Sequence, residues 1–233
     1  ILKEKQNKEF LKNTISDISH QLKTPLTALM MYNQILQEES HNSEIVENFV
    51  QKSQNELERI ESLIQILLKI TKIDSKTIIL NKASVNVKKL ITKILYSFET
   101  RAEKEGKSIS IRGLENTNLF CDYEWISEAL SNLIKNALDN TKENDKIMIE
   151  WVETPITTII SVSDTGNGIH IEDIHHIFKR FYRSKFSKSN QGLGLGLPLV
   201  KSIIEQHNGT ITVESNFLQG STFTLSFLKL TNM

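Results

Sequence analysis

The first 74 residues contain no glycine and only one proline, Pro25. Glycine supplies the left-handed backbone that tight turns require, so its absence over such a length restricts this stretch to long helices. Leu11, Ile15, Ile18, Leu22, Pro25, Leu29, Tyr32 and Leu36 recur alternately four and three residues apart, the apolar seam of heptad spacing. The polar run "EESHNSE" at 38–44 ends that seam, and Ser43 suits the N-cap of a second helix. A second seam runs through Val46, Val50, Leu57, Ile60, Ile64 and Leu67, interrupted by Ser53. Two amphipathic helices joined by a short loop make an antiparallel hairpin. A lone hairpin leaves much of its seam wet. Pairing with a second copy buries it in a four-helix bundle, so a homodimer through residues 1–74 is expected rather than a hairpin packed on its own chain.

Beyond Asp74 the periodicity changes. "TIILNKASVNV" (77–87), "KSISIRGL", "NLFCDY", "KIMIEWVE", "TTIISVSD", "GTITVESN" and "GSTFTLSFLKL" read as strands. Three amphipathic helices are interleaved: 88–106 closed by Gly106, 124–141, and "LPLVKSIIEQHNG" with Pro198 in its first turn and Gly209 after its end. The fold class is therefore α+β: a helical hairpin over 1–75, then an α/β sandwich over 76–233 with one mixed sheet covered on one face by three helices.

Composition narrows the function. The 28 basic and 28 acidic residues cancel, which removes the electrostatic case for a nucleic-acid partner. Cys121 is the only cysteine, so no intramolecular disulfide or multi-cysteine metal site can form, as suits a reducing compartment. No apolar run approaches the ~20 residues that span a bilayer. The chain opens on Ile1, not Met, and is expected to be a fragment with any membrane segment or sensor upstream.

Four stretches of the second domain carry chemistry, each open to a plain reading when taken alone. Asn132 and Asn136 share one helix face and can offer amide oxygens to a hard cation, or be ordinary polar surface. "DTGNG" (164–168) follows a strand; its aspartate can accept from an exocyclic amine, or the stretch is a turn. "GLGLGL" (192–197) opens a helix whose exposed N–H groups suit a phosphate, without the Lys-Ser or Lys-Thr of a Walker loop. "GSTF" (220–223) begins the last strand.

In this order and spacing, the four resemble the N, G1, G2 and G3 boxes of the ATP-binding domain shared by histidine kinases, gyrase and mismatch-repair ATPases. "IFKRFYR" (177–183) resembles the kinase F box, and residues 16–26 resemble the H box. The chain is thus similar, along essentially its whole length, to the catalytic portion of a two-component sensor histidine kinase. The resemblance implies a Bergerat-type ATP fold and autophosphorylation on His20, followed by transfer to an aspartate on a response regulator receiver domain. It also implies a cytoplasmic location within a membrane-anchored bacterial protein. ATP and Mg²⁺ are the implied cofactors: Asn136 would bind the metal, Asn132 would support metal and phosphates, and Asp164 would read the adenine amine. Gly166 and Gly168 would shape that pocket, Gly192, Gly194 and Gly196 would receive phosphates, and Thr222 would back the adenine. Arg183, ending "FYR", would reach the γ-phosphate from the lid-like region 169–191. Hydrolytic relatives carry a glutamate where Asn132 stands; an amide cannot act as a base, which suits transfer over hydrolysis.

The cluster "ISHQLKTPLT" (18–27) then acquires roles. His20 lies two residues from Ile18 and Leu22 and so points off the seam, as a nucleophile should. Gln21 departs from the acid usual in the family; its amide can accept the imidazole N–H but cannot take a proton, and Asp17 could assist. Thr24 matches the family position that orients water against a phospho-aspartate, so phosphatase activity is expected too. Pro25 should bend the helix near His20 as a hinge. Asp139 stands where many relatives have a lysine. Gln21 and Asp139 together motivate an alternative: a kinase-poor, phosphatase-biased scaffold that binds ATP. The other histidines, His41, His170, His175, His176 and His207, lack ligand partners at useful spacing.

Overall fold

The computed structural model describes residues 18, 22–36, 43–74, 79–186 and 193–229. His20, Gln21, Asp17 and Gly192 lie outside the described residues, as does most of the segment on which Pro25 was expected to act. The chain divides into two compact units, residues 1–68 and 69–233. None of the described helices is long and apolar enough to cross a membrane.

In the first unit, helix α1 (22–36) and the 32-residue helix α2 (Ser43–Asp74) form the expected hairpin. Tyr32, late in α1, packs on Phe49, early in α2, with ring centroids 5.6 Å apart. On α1 the seam lies inward: Pro25 is buried and Leu22, Leu29, Tyr32 and Leu36 are half-buried. On α2 one column of the expected seam, Val46, Ile60 and Leu67, is half-buried, and the other is shifted by one residue. Phe49 is half-buried and Leu63 fully buried, whereas Val50, Leu57 and Ile64 are exposed. Heptad spacing fits either of two adjacent columns, about 100° apart on a helix; the aromatic Phe49 selects one. The other column, with Leu68, and Leu26, Met30 and Met31 of α1, remains as exposed apolar surface.

The second unit begins with the last residues of α2. Ile70 and Ile73 are buried there, Lys69 pairs with Glu128 at 2.8 Å, and the Gln206 amide donates to the Ile73 carbonyl at 3.4 Å. The remaining elements are β1 (Lys82–Asn86), α3 (Val87–Lys104), β2 (Ser108–Gly113), β3 (Asn118–Asp122), α4 (Tyr123–Asn140), β4 (Lys146–Glu153), β5 (Thr157–Asp164), α5 (Ile171–Ile174), α6 (Gly196–Gln206), β6 (Gly209–Asn216) and β7 (Gly220–Leu228). Five strands form a mixed sheet in the order β2-β4-β5-β7-β6, parallel only between β2 and β4. The single sheet expected from sequence is in fact two, because β1 and β3 pair antiparallel with each other alone. The reason is local: each runs directly into a helix through an N-cap. Asn86 accepts from the Lys89 N–H, and Asp122 accepts from those of Glu124 and Trp125. The β1–β3 ladder therefore brings the starts of α3 and α4 side by side.

Strand alternation and helical period meet in one core. Ile147, Ile149 and Trp151 of β4, Ile160 and Val162 of β5, and Phe223, Leu225 and Phe227 of β7 are buried at every second position. They face α3, α4 and α6, whose apolar stripes include Leu90, Ile91 and Ile94, then Ile126, Leu130 and Leu133, then Leu199, Val200 and Ile203. Each fully buried aliphatic side chain contributes about 1.5–3 kcal/mol. Buried polar groups stitch the edges. Neutral His207 accepts the Asp122 backbone N–H at its Nε2 (3.1 Å) and meets the Ile203 carbonyl at Nδ1 (2.8 Å). Burial holds its pKa below the usual histidine value. Burial likewise pushes the Cys121 thiol up to about 12, with Asp122 acting the same way, so it stays protonated and inert.

Asp122 does several jobs at once: it caps α4 and its other oxygen accepts the Asn81 N–H at 2.8 Å. Asp122→Ala should destabilise the second unit by about 2 kcal/mol, and Asp122→Asn by less, read as a lower urea midpoint.

Candidate functional site

The inward series on β5 is Thr158, Ile160, Val162, Asp164. Period-two alternation thus places the Asp164 carboxylate on the core side at the strand's end, where it is only 9% exposed. Burial raises its pKa to about 6, against the opposing pull of the Gly166 and Ser221 backbone N–H groups. The Gly166 N–H donates to Oδ1 at 2.9 Å. Held by backbone at the edge of the core, this carboxylate when ionised can accept a hydrogen bond from an amine.

Helix α4 supplies the wall. Asn132, Asn136 and Asn140 fall four residues apart on one half-buried face. At its C-terminal end the Asn140 carbonyl accepts the Asn167 N–H at 3.1 Å. A methyl group on Gly166 would sit 2.2 Å from that same carbonyl oxygen, so only glycine fits. Gly168 lies equally close to the β6–β7 turn, where the Leu218 N–H reaches the Asn167 carbonyl at 2.7 Å. The "DTGNG" loop is thereby clamped between α4 and the hairpin. One turn and more toward the N-terminus of α4, the Asn132 amide donates to the Glu128 carbonyl (2.9 Å) and carboxylate (3.2 Å). This leaves Asn132 Oδ1 turned toward the start of α6, where a methyl on Gly196 would lie 3.0 Å from it. Asn136 Oδ1 accepts from the Asn140 amide at 3.2 Å and retains a lone pair for a cation.

Helix α6 begins without a side-chain cap, unlike α3 and α4. Its first N–H groups and the helix dipole suit an anion. Gly194, at φ +67, has another part. A methyl there would lie 2.7 Å from the Phe181 carbonyl carbon and the Tyr182 oxygen, and the Phe181 N–H donates to the Gly194 carbonyl at 2.8 Å. The glycine segment thus clasps the backbone of "FYR", and Arg183 follows directly, exposed.

Two sequence readings change. Thr222 pairs with Ser163 across the β5–β7 ladder, and their hydroxyls meet at 3.0 Å on the face opposite Asp164. The residue on the Asp164 side is Ser221, directly across the ladder and buried, with its hydroxyl 3.0 Å from that of Ser215. The cause is strand alternation, which a one-residue shift reverses. Asp139 is half-buried and accepts from the Arg101 guanidinium at 2.7 Å, so its charge is matched within the helix layer. Asn140 was not singled out from sequence; the four-residue step from Asn136 was the available signal. Thr24 is exposed on α1, where it lines a groove with Lys23, Thr27, Ala28 and Met31.

Comparison with known proteins matches this geometry to a family. Residues 121–232 match the family described as histidine kinase-, DNA gyrase B-, and HSP90-like ATPase, and residues 10–76 match the His Kinase A (phospho-acceptor) domain. The sensor histidine kinase WalK of Bacillus subtilis (strain 168) is 32% identical over 230 residues, 96% of this chain and 37% of WalK. The sensor protein SrrB of Staphylococcus aureus (strain N315) is 30% identical over 222 residues, 94% of this chain and 38% of SrrB. The chain therefore spans less than half the length of these relatives. Among solved structures, the histidine kinase AdeS of Acinetobacter baumannii superposes with a TM-score of 0.74 at 25% identity, covering 91% of this chain and 98% of that one. The histidine kinase ThkA, solved in complex with the response regulator protein TrrA, superposes with a TM-score of 0.80 at 25% identity, over 97% of this chain and 64% of that one. A phospho-acceptor segment and an ATPase-type sandwich in that order, in the fold of solved kinase cores, place this chain in the histidine kinase family.

Proposed function

We propose that this chain transfers the γ-phosphoryl group of ATP to His20 and passes it on to an aspartate of a response regulator receiver domain. The observation that carries this reading is the single asparagine face of α4, which meets the "DTGNG" loop at Asn140 and the start of α6 at Asn132. Between them lie a buried carboxylate for the base and an uncapped helix start for the phosphates. The donor set fits Mg²⁺-ATP: Asn136 would hold the metal with help from Asn132, and the ion would neutralise phosphate charge, keeping several waters. Asp164 accepts from the adenine amine, with Ser221 rather than Thr222 beside it. Gly166 and Gly168 keep the loop thin enough for the ring. Gly192 and Gly196 admit the phosphates, and Gly194 positions the segment that carries Arg183, which meets the γ-phosphate.

In the transfer, a ring nitrogen of His20 attacks the γ-phosphorus, the bond to the ADP oxygen breaks, and the imidazole gives up its N–H proton. Gln21 orients the ring by accepting that N–H, and Asp17, three residues before His20 in the chain, is a group able to take a proton. Residues 1–75 act as the dimerisation and phospho-acceptor hairpin and 76–233 as the ATP-binding domain. The exposed column of Val50, Leu57, Ile64 and Leu68 supports burial against a second copy. Thr24, exposed on α1, would orient water for phosphatase activity toward the phosphorylated receiver, with Pro25 as the hinge. An upstream membrane sensor belongs to the full-length protein, with this portion on the cytoplasmic side. The alternative of a kinase-poor, phosphatase-biased scaffold loses one of its two motives, since Arg101 matches the Asp139 charge; Gln21 alone still favours it.

Incubation with γ-labelled ATP and Mg²⁺ separates these readings. The kinase reading requires acid-labile, alkali-stable label on the protein, lost in His20→Ala. Bound ATP without label would leave the scaffold, and rapid phosphate release without label would indicate a hydrolytic ATPase. Thr24→Ala should then spare labelling and slow dephosphorylation of the receiver.

Asp164 adds a pH signature. Its raised pKa means that its contribution to fold stability is present at low pH and is lost as pH rises through about 6. Nucleotide binding needs the ionised form, so it runs the other way. Affinity should rise with pH through about 6 and level off above, and each unit below should cost up to about tenfold. Calorimetric titration of ADP into the wild type and Asp164→Asn at a series of pH values checks this: the step belongs to the wild type alone.

A further inference from the structure

Asp173, in α5, is a charge where an apolar residue would pack more cheaply. It is 3% exposed, and one carboxylate oxygen, Oδ2, has no hydrogen-bond partner among the described residues. A buried carboxylate left half-satisfied is costly, so its presence calls for an explanation. The other oxygen, Oδ1, accepts the hydroxyl of Tyr182 at 2.5 Å. That bond raises the phenol's pKa and keeps it a donor. The ring of His176 flanks the same phenol, with centroids 5.4 Å apart.

Tyr182 is also gripped from its backbone. Phe181 adopts φ +60, a left-handed conformation unfavourable for so bulky a residue. It is held there by its N–H bond to the Gly194 carbonyl. Gly194 in turn lies so close to Phe181 and Tyr182 that no side chain could replace its hydrogen. Phe178 adds an anchor one turn back, with the Lys201 ammonium 5.7 Å over its ring from α6. The segment 178–182 is therefore fixed on one side to the glycine segment that opens α6 and on the other, through one phenol, to a buried acid. Arg183 is the next residue.

We propose that Asp173 and Tyr182 are positioning residues: the buried carboxylate holds the phenol, seats the Phe181–Tyr182 backbone against Gly194, and so sets where Arg183 meets the terminal phosphate. This rests on the assignment of Arg183 to that phosphate. The pair touches no substrate atom and acts only through Arg183, so its loss registers where a γ-phosphate is present and not where it is absent.

The test uses the whole 233-residue chain with Mg²⁺. Affinities for ADP and for a non-hydrolysable ATP analogue are measured in Arg183→Ala, Tyr182→Phe, Asp173→Asn and the Arg183→Ala/Tyr182→Phe double variant. Tyr182→Phe should weaken the analogue about tenfold, the scale of one hydrogen bond to a charged group, while ADP affinity stays within about twofold. Asp173→Asn, which keeps an acceptor oxygen, should fall between. In the double variant the tyrosine change should add nothing to the arginine change. A merely structural role would weaken ADP and the analogue together, and that result overturns the proposal. So does a Tyr182→Phe variant that keeps the wild-type analogue-to-ADP ratio while Arg183→Ala loses it. If Arg183→Ala itself leaves the ratio unchanged, the arginine assignment fails first, and the positioning role with it.

Discussion

The contact between the asparagine face of α4 and two glycine-bearing segments organises the rest of the molecule. A helix buries one face and normally leaves polar residues on the other. Here α4 buries Ile126, Leu130, Leu133 and Ile134, and it places Asn132, Asn136 and Asn140 at the margin of that buried stripe. The margin is close enough to the core for backbone to pack on it and polar enough to bind charge. The Asn140 carbonyl packs so close to Gly166 that no other residue fits there, and Gly196 lies against Asn132. Both sides of the candidate nucleotide site are thus registered to one rigid element, which is how a site made largely of loops acquires fixed geometry.

Asp164 shows the other half of the same logic. Its position on the core-facing side of β5 is energetically unfavourable for a charge, and its raised pKa expresses that. In the proposed adenine contact a desolvated acceptor would discriminate strongly between a ligand that offers an amine and one that does not. Stability and the proposed binding pull its titration in opposite directions.

Much of the fold was legible because periodicity reports burial directly. The strand "TTIISVSD" alternates, and β5 is Thr157–Asp164 with every second side chain inside. Gly106 closes α3 at φ +61. Less legible were features that depend on which of two neighbouring positions faces inward. Heptad spacing put Val46, Ile60 and Leu67 in the hairpin seam together with Val50, Leu57 and Ile64; the first three are half-buried, but Phe49 and Leu63 stand in place of the others. The "GSTF" stretch admitted Thr222, but the register with β5 selects Ser221. The separation of β1 and β3 from the main sheet was likewise invisible, since it follows from caps that commit each strand to its helix.

The sequence by itself determined the helical character of residues 22–36 and 43–74, the α+β character of the second unit, and the chemical inventory of the site. It did so because glycine distribution, period and residue type are local properties. Only the tertiary structure decided that Asp164 is buried with its pKa raised to about 6, that Asp139 answers to Arg101, and that Gly194 clasps Tyr182 opposite Asp173. Each of these joins residues far apart in the chain or sets a side chain's solvation. Such relations exist only once the layers have packed.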